Sequence, residues 1–130
     1  MNQEILEVKQ ALIDGMIEYM KYGGAVDEND PEYDPEFDAG YTHEHVDRCS
    51  EIIDEFLASL EKTPEAQKNE YIMDAVKKII LRLNELNEEV DGSLIGTPQR
   101  EYLCKLIDLA ARHAGLESSA YDITYEWREW

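Results

Sequence analysis

The chain has 130 residues, 43% of them hydrophobic and 32% charged, and its 30 Asp and Glu against 12 Lys and Arg leave a formal net charge of −18. That length is enough for one proper hydrophobic core and too little for two, so residues 1–130 are expected to form one domain. A field of this sign repels nucleic-acid phosphates and anionic lipid headgroups, which excludes both as partners, and it speeds encounters with basic protein surfaces.

From Gln3 to Tyr22, Ile5, Leu6, Leu12, Ile13, Met16, Ile17 and Met20 recur at steps of three and four, and Asn2 stands where a cap belongs. The pattern predicts a first amphipathic helix ended by Gly23-Gly24. Residues 23–41 have no helical period, two prolines and dense acid, and read as a long surface loop. Thr42 is predicted to cap a second helix whose stripe is Val46, Cys49, Ile52, Ile53, Phe56, Leu57 and Leu60. Thr63-Pro64 gives a cap followed by first-turn proline, the expected start of a third helix. Its stripe runs from Ile72 through Ile79, Ile80, Leu83 and Leu86 to Val90, and Asp91-Gly92 stops it. Thr97-Pro98 repeats the start signal for a fourth helix carrying Leu103, Leu106, Ile107, Ala110 and Ala114, with Gly115 as a left-handed terminator and Leu116 behind it.

Four helices with one apolar face each must bury those faces against one another, so the expected fold is all-α, a four-helix bundle-like globule. The tail, about residues 117–130, is ambiguous: Tyr121, Ile123, Tyr125 and Trp127 alternate like a strand, whereas Ile123, Trp127 and Trp130 also fit a helix. It is expected to lie across the bundle, with its tryptophans as packing anchors. Cys49 and Cys104 sit in apolar helical patterns, as reduced core cysteines do, and Met1-Asn2-Gln3-Glu4-Ile5 lacks the basic region of a signal peptide; the cytoplasm is the expected compartment.

The most unusual segment is the loop. Between Asp27 and Asp38 it carries seven acids, Asp27, Glu28, Asp30, Glu32, Asp34, Glu36 and Asp38, around a tandem Asp-Pro-Glu-aromatic repeat, with Tyr33 and Phe37 as the aromatics and no basic residue. The acids would steer a basic partner and the two rings would supply contact energy, so these nine residues form the candidate partner-binding site. The alternative is a solvated loop whose rings fold back over the bundle. An EF-hand calcium loop is absent: counted from Asp27, the sixth position holds Glu32 instead of glycine and the twelfth Asp38 instead of glutamate.

His43, His45, Asp47 and Cys49 look like a ligand run, but alternate residues of a helix point to opposite sides and cannot close on one metal. No Gly-rich phosphate loop, Gly-x-Ser-x-Gly turn or His-Glu-x-x-His pair occurs, and nothing selects one carboxylate pair as catalytic. No catalytic residue, metal or cofactor is implied. Glu85, Glu88, Glu89 and Asp91 crowd the C-terminal end of the third helix, where the helix dipole disfavours negative charge, and a basic partner would relieve them.

At Thr97-Pro98-Gln99-Arg100-Glu101-Tyr102, at Gly115-Leu116 and at the closing Asp122-Ile123-Thr124-Tyr125-Glu126-Trp127-Arg128-Glu129-Trp130, the chain resembles a group of small acidic, helical bacterial proteins of uncharacterised or toxin-immunity type. The resemblance covers the C-terminal third, from Ile79 onward, and the Asp-Pro-Glu repeat lies outside it. It implies an all-helical, non-enzymatic protein and supplies no catalytic residues. The leading expectation is therefore an acidic binding protein, in its most concrete form an immunity-type inhibitor that covers the basic active site of a toxin enzyme. An adaptor or regulatory subunit with another basic partner is the runner-up, and a small carboxylate-dependent enzyme the third reading.

Overall fold

The computed structural model describes residues 2–130, which form four helices: α1 (Gln3–Tyr22), α2 (His43–Leu60), α3 (Lys68–Glu89) and α4 (Thr97–His113). There is no strand among the described residues, and the fold is all-α and bundle-like as the periodicity predicts. α1 packs chiefly on α4 and α2 on α3, and the two pairs meet along α1–α2, α3–α4 and the α2–α4 diagonal. Their stripes merge into one core that includes Leu12, Met16, Ile53, Ile80, Leu83 and Leu106. The α2 stripe is buried as expected from Val46 to Leu60. On α1 the buried residues are Ile5, Val8, Leu12 and Met16, and Leu6 turns outward. No helix among the described residues is long and apolar enough to cross a membrane.

The helix ends follow local chemistry with two shifts. Asn2 caps α1, its side chain accepting the Glu4 amide at 2.7 Å. Thr63 closes α2 rather than opening α3: its hydroxyl donates to the Leu60 carbonyl at 2.6 Å. α3 then begins only at Lys68, after Gln67 in the left-handed region at φ 56°. A turn in this connection overrides the Thr-Pro signal, because the Thr63 hydroxyl is already engaged with the helix behind it. At α4 the cap moves back one residue to Gly96, whose amide donates to Gln99 Oε1 at 3.2 Å. Gly115 terminates that helix at φ 113°, and Leu116 is buried behind it with its amide on the Ala111 carbonyl at 3.0 Å.

The tail lies across the bundle in turns, without a strand. Ile123 and Thr124 are buried, while Trp127 and Trp130 pack against the core half-buried. Asn84 on α3 fastens it: its side-chain amide donates to the Trp127 carbonyl at 2.8 Å and its oxygen accepts the Glu129 amide at 3.1 Å. Arg128 bridges Asp122 at 3.0 Å and the Trp130 carbonyl at 2.8 Å, with its guanidinium 5.5 Å from the Trp130 ring centre. Asp122 is partly buried, which raises its pKa, but hydrogen bonds from the Thr124 hydroxyl and amide and from Arg128 outweigh this and hold it below the usual aspartate value.

Candidate functional site

The loop at residues 23–41 is built from the hydrogen-bonding habit of aspartate. Asp27, Asp30, Asp34 and Asp38 each accept the backbone amide two residues on, from Asn29 at 2.8 Å, Glu32 at 2.9 Å, Glu36 at 2.9 Å and Gly40 at 2.8 Å. Asp30 also accepts the Val26 amide at 2.9 Å through its other oxygen. Its carboxyl is held below the usual aspartate value by these two amides, from Glu32 and Val26, which favour the charged form. In both repeats the Asp carbonyl takes the amide of the aromatic three residues on, Tyr33 at 2.9 Å and Phe37 at 3.1 Å. Each Asp-Pro-Glu-aromatic unit is therefore one turn, with aspartate first, proline pre-set in second place and the ring fourth.

Two such turns in series bring Tyr33 and Phe37 to the same side, facing α1. Phe37 meets Tyr19 edge-on, ring centres 5.3 Å apart at 89°, and Tyr33 lies 6.2 Å from Tyr22. Phe37 also covers Gly23, where a Cβ would sit 3.2 Å from the ring and where φ is 61°, so both the space and the backbone call for glycine. The far end of the loop is pinned by buried Tyr41, whose hydroxyl donates to the Met16 carbonyl at 2.7 Å; burial, with Tyr19 beside it, pushes its pKa up to about 12.

The nine candidate residues thus divide into three groups. The four aspartates act inward, tying down their own backbone. Tyr33 and Phe37 are half-buried on α1 rather than standing free, so only part of each ring is exposed. Glu28, Glu32 and Glu36 are exposed, four residues apart, and among the described residues their carboxylates have no hydrogen-bond or ion-pair partner. Sequence reasoning missed Val26, which is 82% exposed and is the most open apolar side chain of the loop. Its signal was a lone β-branched residue among acids. Beside it a groove of about 390 Å³ runs between the loop, α1 and the start of α4, with Asp14, Glu18, Tyr22 and Tyr102 on its walls and no basic residue.

The other sequence candidates are brought to different places. His45 Nδ1 accepts the Thr42 amide at 3.1 Å at the start of α2. Cys49 lies in the core, where burial pushes its thiol up to about 12. No group of three potential metal ligands converges among the described residues. Cys104, on α4, is half-buried, with its sulfur 3.4 Å from the Thr124 hydroxyl; burial raises its pKa as well. Of the carboxylate run on α3, Glu89 pairs with Arg48 at 2.6 Å, and that hydrogen bond holds its pKa down despite the helix end. The molecule's own Arg48 therefore answers part of the need that a basic partner was expected to meet. Asn84 and Asn87 are buried structural anchors that the apolar stripe of α3 did not include; Asn87 accepts the Ile95 amide at 3.0 Å and holds the turn into α4. No known protein family, curated protein or solved structure matches this chain.

Proposed function

We propose that the protein is an acidic binding protein that docks on a basic protein surface through the loop at residues 23–41. The observation that carries this reading is the division of labour among the loop carboxylates. Asp27, Asp30, Asp34 and Asp38 hold the backbone in shape, while Glu28, Glu32 and Glu36 are exposed and have no hydrogen-bond or ion-pair partner for their carboxylates among the described residues. A carboxylate row held by local turns loses little conformational freedom when a partner binds, and the −18 charge of the whole chain steers that partner in. Val26 and the exposed parts of Tyr33 and Phe37 supply apolar contact beside the charges.

The most concrete form of the proposal is an immunity-type inhibitor that covers the basic active site of a bacterial toxin enzyme, a target to which a chain of net charge −18 is complementary. The test begins with affinity purification from the native cell, followed by binding kinetics with the isolated partner. Changing Glu28, Glu32 and Glu36 to Gln should slow association and flatten its salt dependence. Changing Tyr33 and Phe37 to Ala should speed dissociation about tenfold or more. Wild-type kinetics in both variants would remove the loop from the interface, and a partner without a basic surface would overturn the proposal as a whole.

A further inference from the structure

The second helix pair carries a groove that the loop reading does not use. Two depressions, of about 640 and 400 Å³, run end to end between α2 and α3 and share Ile52 and Arg82 in their linings. Along α2 they extend from Arg48 to Ser59, a length of roughly 16 Å at 1.5 Å per residue, or three helical turns. The Ser59 half has an apolar floor of Phe56, Ala75 and Ile79, all buried, with Leu81, 43% exposed, as its open apolar side chain and Glu55, Lys78 and Arg82 also in its lining. The Arg48 half is acidic. Its two cations are engaged within the groove, Arg48 with Glu89 at 2.6 Å and Arg82 with Glu55, while Glu51, Glu85 and Glu88 have no ion-pair partner among the described residues. Lys78, which lines the Ser59 half, pairs with Asp74 at 3.3 Å on the exposed face of α3.

We infer that this groove is a docking site for a basic amphipathic helix of a partner protein, laid along α2 and α3 with apolar residues packed around the exposed Leu81, over a floor closed by buried Phe56 and Ile79, and Lys or Arg residues on Glu51, Glu85 and Glu88. The apolar floor, its three-turn length and the unpaired carboxylates at one end match the helix-in-groove mode of recognition, in which anchors recur at steps of three and four. Charge decides between occupants. A second copy of this chain brings another −18 and is repelled, and an acidic or neutral helix leaves the three glutamates without counter-charge. The inference stands apart from the loop, which packs on α1, and either surface can act without the other.

The test uses the full chain, isotope-labelled for NMR, and a synthetic Leu/Lys peptide of ~14 residues, about four helical turns, with leucines at helical spacing. A scrambled peptide of the same composition is the control for charge alone. The amphipathic peptide should bind at least about tenfold more tightly than the scrambled one, with amide shifts concentrated between Arg48 and Ser59 and between Ala75 and Glu89. Leu81→Ser, at a partly exposed position that leaves the core intact, should weaken it about tenfold, and Glu51→Gln/Glu85→Gln/Glu88→Gln should do the same. Tyr33→Ala/Phe37→Ala should leave its affinity unchanged. Equal binding of the scrambled peptide, absence of binding, or no effect of Leu81→Ser would overturn the inference. Shifts confined to residues 23–41 and lost in the Tyr33/Phe37 variant would also overturn it while supporting the loop; failure of the loop variants against a purified partner leaves the groove result standing.

Discussion

Changing Asn84 to Ala should loosen the tail and lower the stability of the whole domain. Asn84 is 7% exposed, and its side chain makes two hydrogen bonds of ordinary length to tail backbone, at 2.8 Å to the Trp127 carbonyl and 3.1 Å from the Glu129 amide. Each such bond contributes about 1 kcal/mol net, and both tail groups lie near the surface, where water can partly replace the lost partner. The expected loss is therefore about 1–2 kcal/mol rather than the larger penalty of a fully buried orphan. With an unfolding entropy of about 2.1 cal/mol/K per residue, a domain of this length loses roughly 4 °C of Tm per kcal/mol, so Tm should fall by about 4–8 °C. Calorimetry gives the shift, and tryptophan emission locates it, because both tryptophans, Trp127 and Trp130, lie in the tail. Their emission should move to the red below the main transition as the tail opens first. Asn84→Asp should cost more, since it keeps the acceptor for Glu129 but places a charge at a buried site and removes the donor to Trp127. A Tm within about 1 °C of wild type, with unchanged emission, would refute the reasoning and show that the two bonds exchange with water at no loss.

The tail should also discriminate among its aromatics: Trp127→Ala should cost about 1–3 kcal/mol by denaturant titration, whereas Tyr125→Ala, at a side chain 75% exposed, should stay within about 0.5. For pH, Asp30 and Asp122 both have folded pKa values below the unfolded one. Their contribution is thus complete above about pH 4 and is lost as pH falls through the lower folded values. Protonation of the other carboxylates relieves self-repulsion and opposes this globally, so the readout is local: the Glu32 and Val26 amide shifts should move in that acid range, and Asp30→Asn, which keeps an acceptor oxygen, should remove the Asp30 titration from them. Thiol labelling at pH 8 should be slow at both cysteines and slower at Cys49, whose burial is the deeper; faster labelling of Cys49 than of Cys104 would contradict the packing of α2.

Much of this architecture is legible in the order of residues. A stripe such as Val46, Cys49, Ile52, Ile53, Phe56, Leu57 and Leu60 admits one amphipathic solution, and the structure buries every member. Asp91-Gly92 and Gly115-Leu116 stop their helices where they stand, because the chemistry involved spans only a few neighbouring residues. The acidic loop was recognisable by composition, and its Asp-Pro units are turns that local rules describe once the carboxylates are seen to bond their own backbone. What the local rules could not supply was direction. Tyr33 and Phe37 lie against Tyr22 and Tyr19 because α1 offers those rings, and Thr63 bonds backward to Leu60 rather than forward into α3. Asn84, a polar residue beside the apolar stripe of Leu83 and Leu86, turns inward to meet a backbone 43 residues away. Periodicity and capping are properties of adjacent residues and survive in the sequence; the partners of a side chain depend on which surfaces the packed helices bring together, and those distances exist only in the folded molecule.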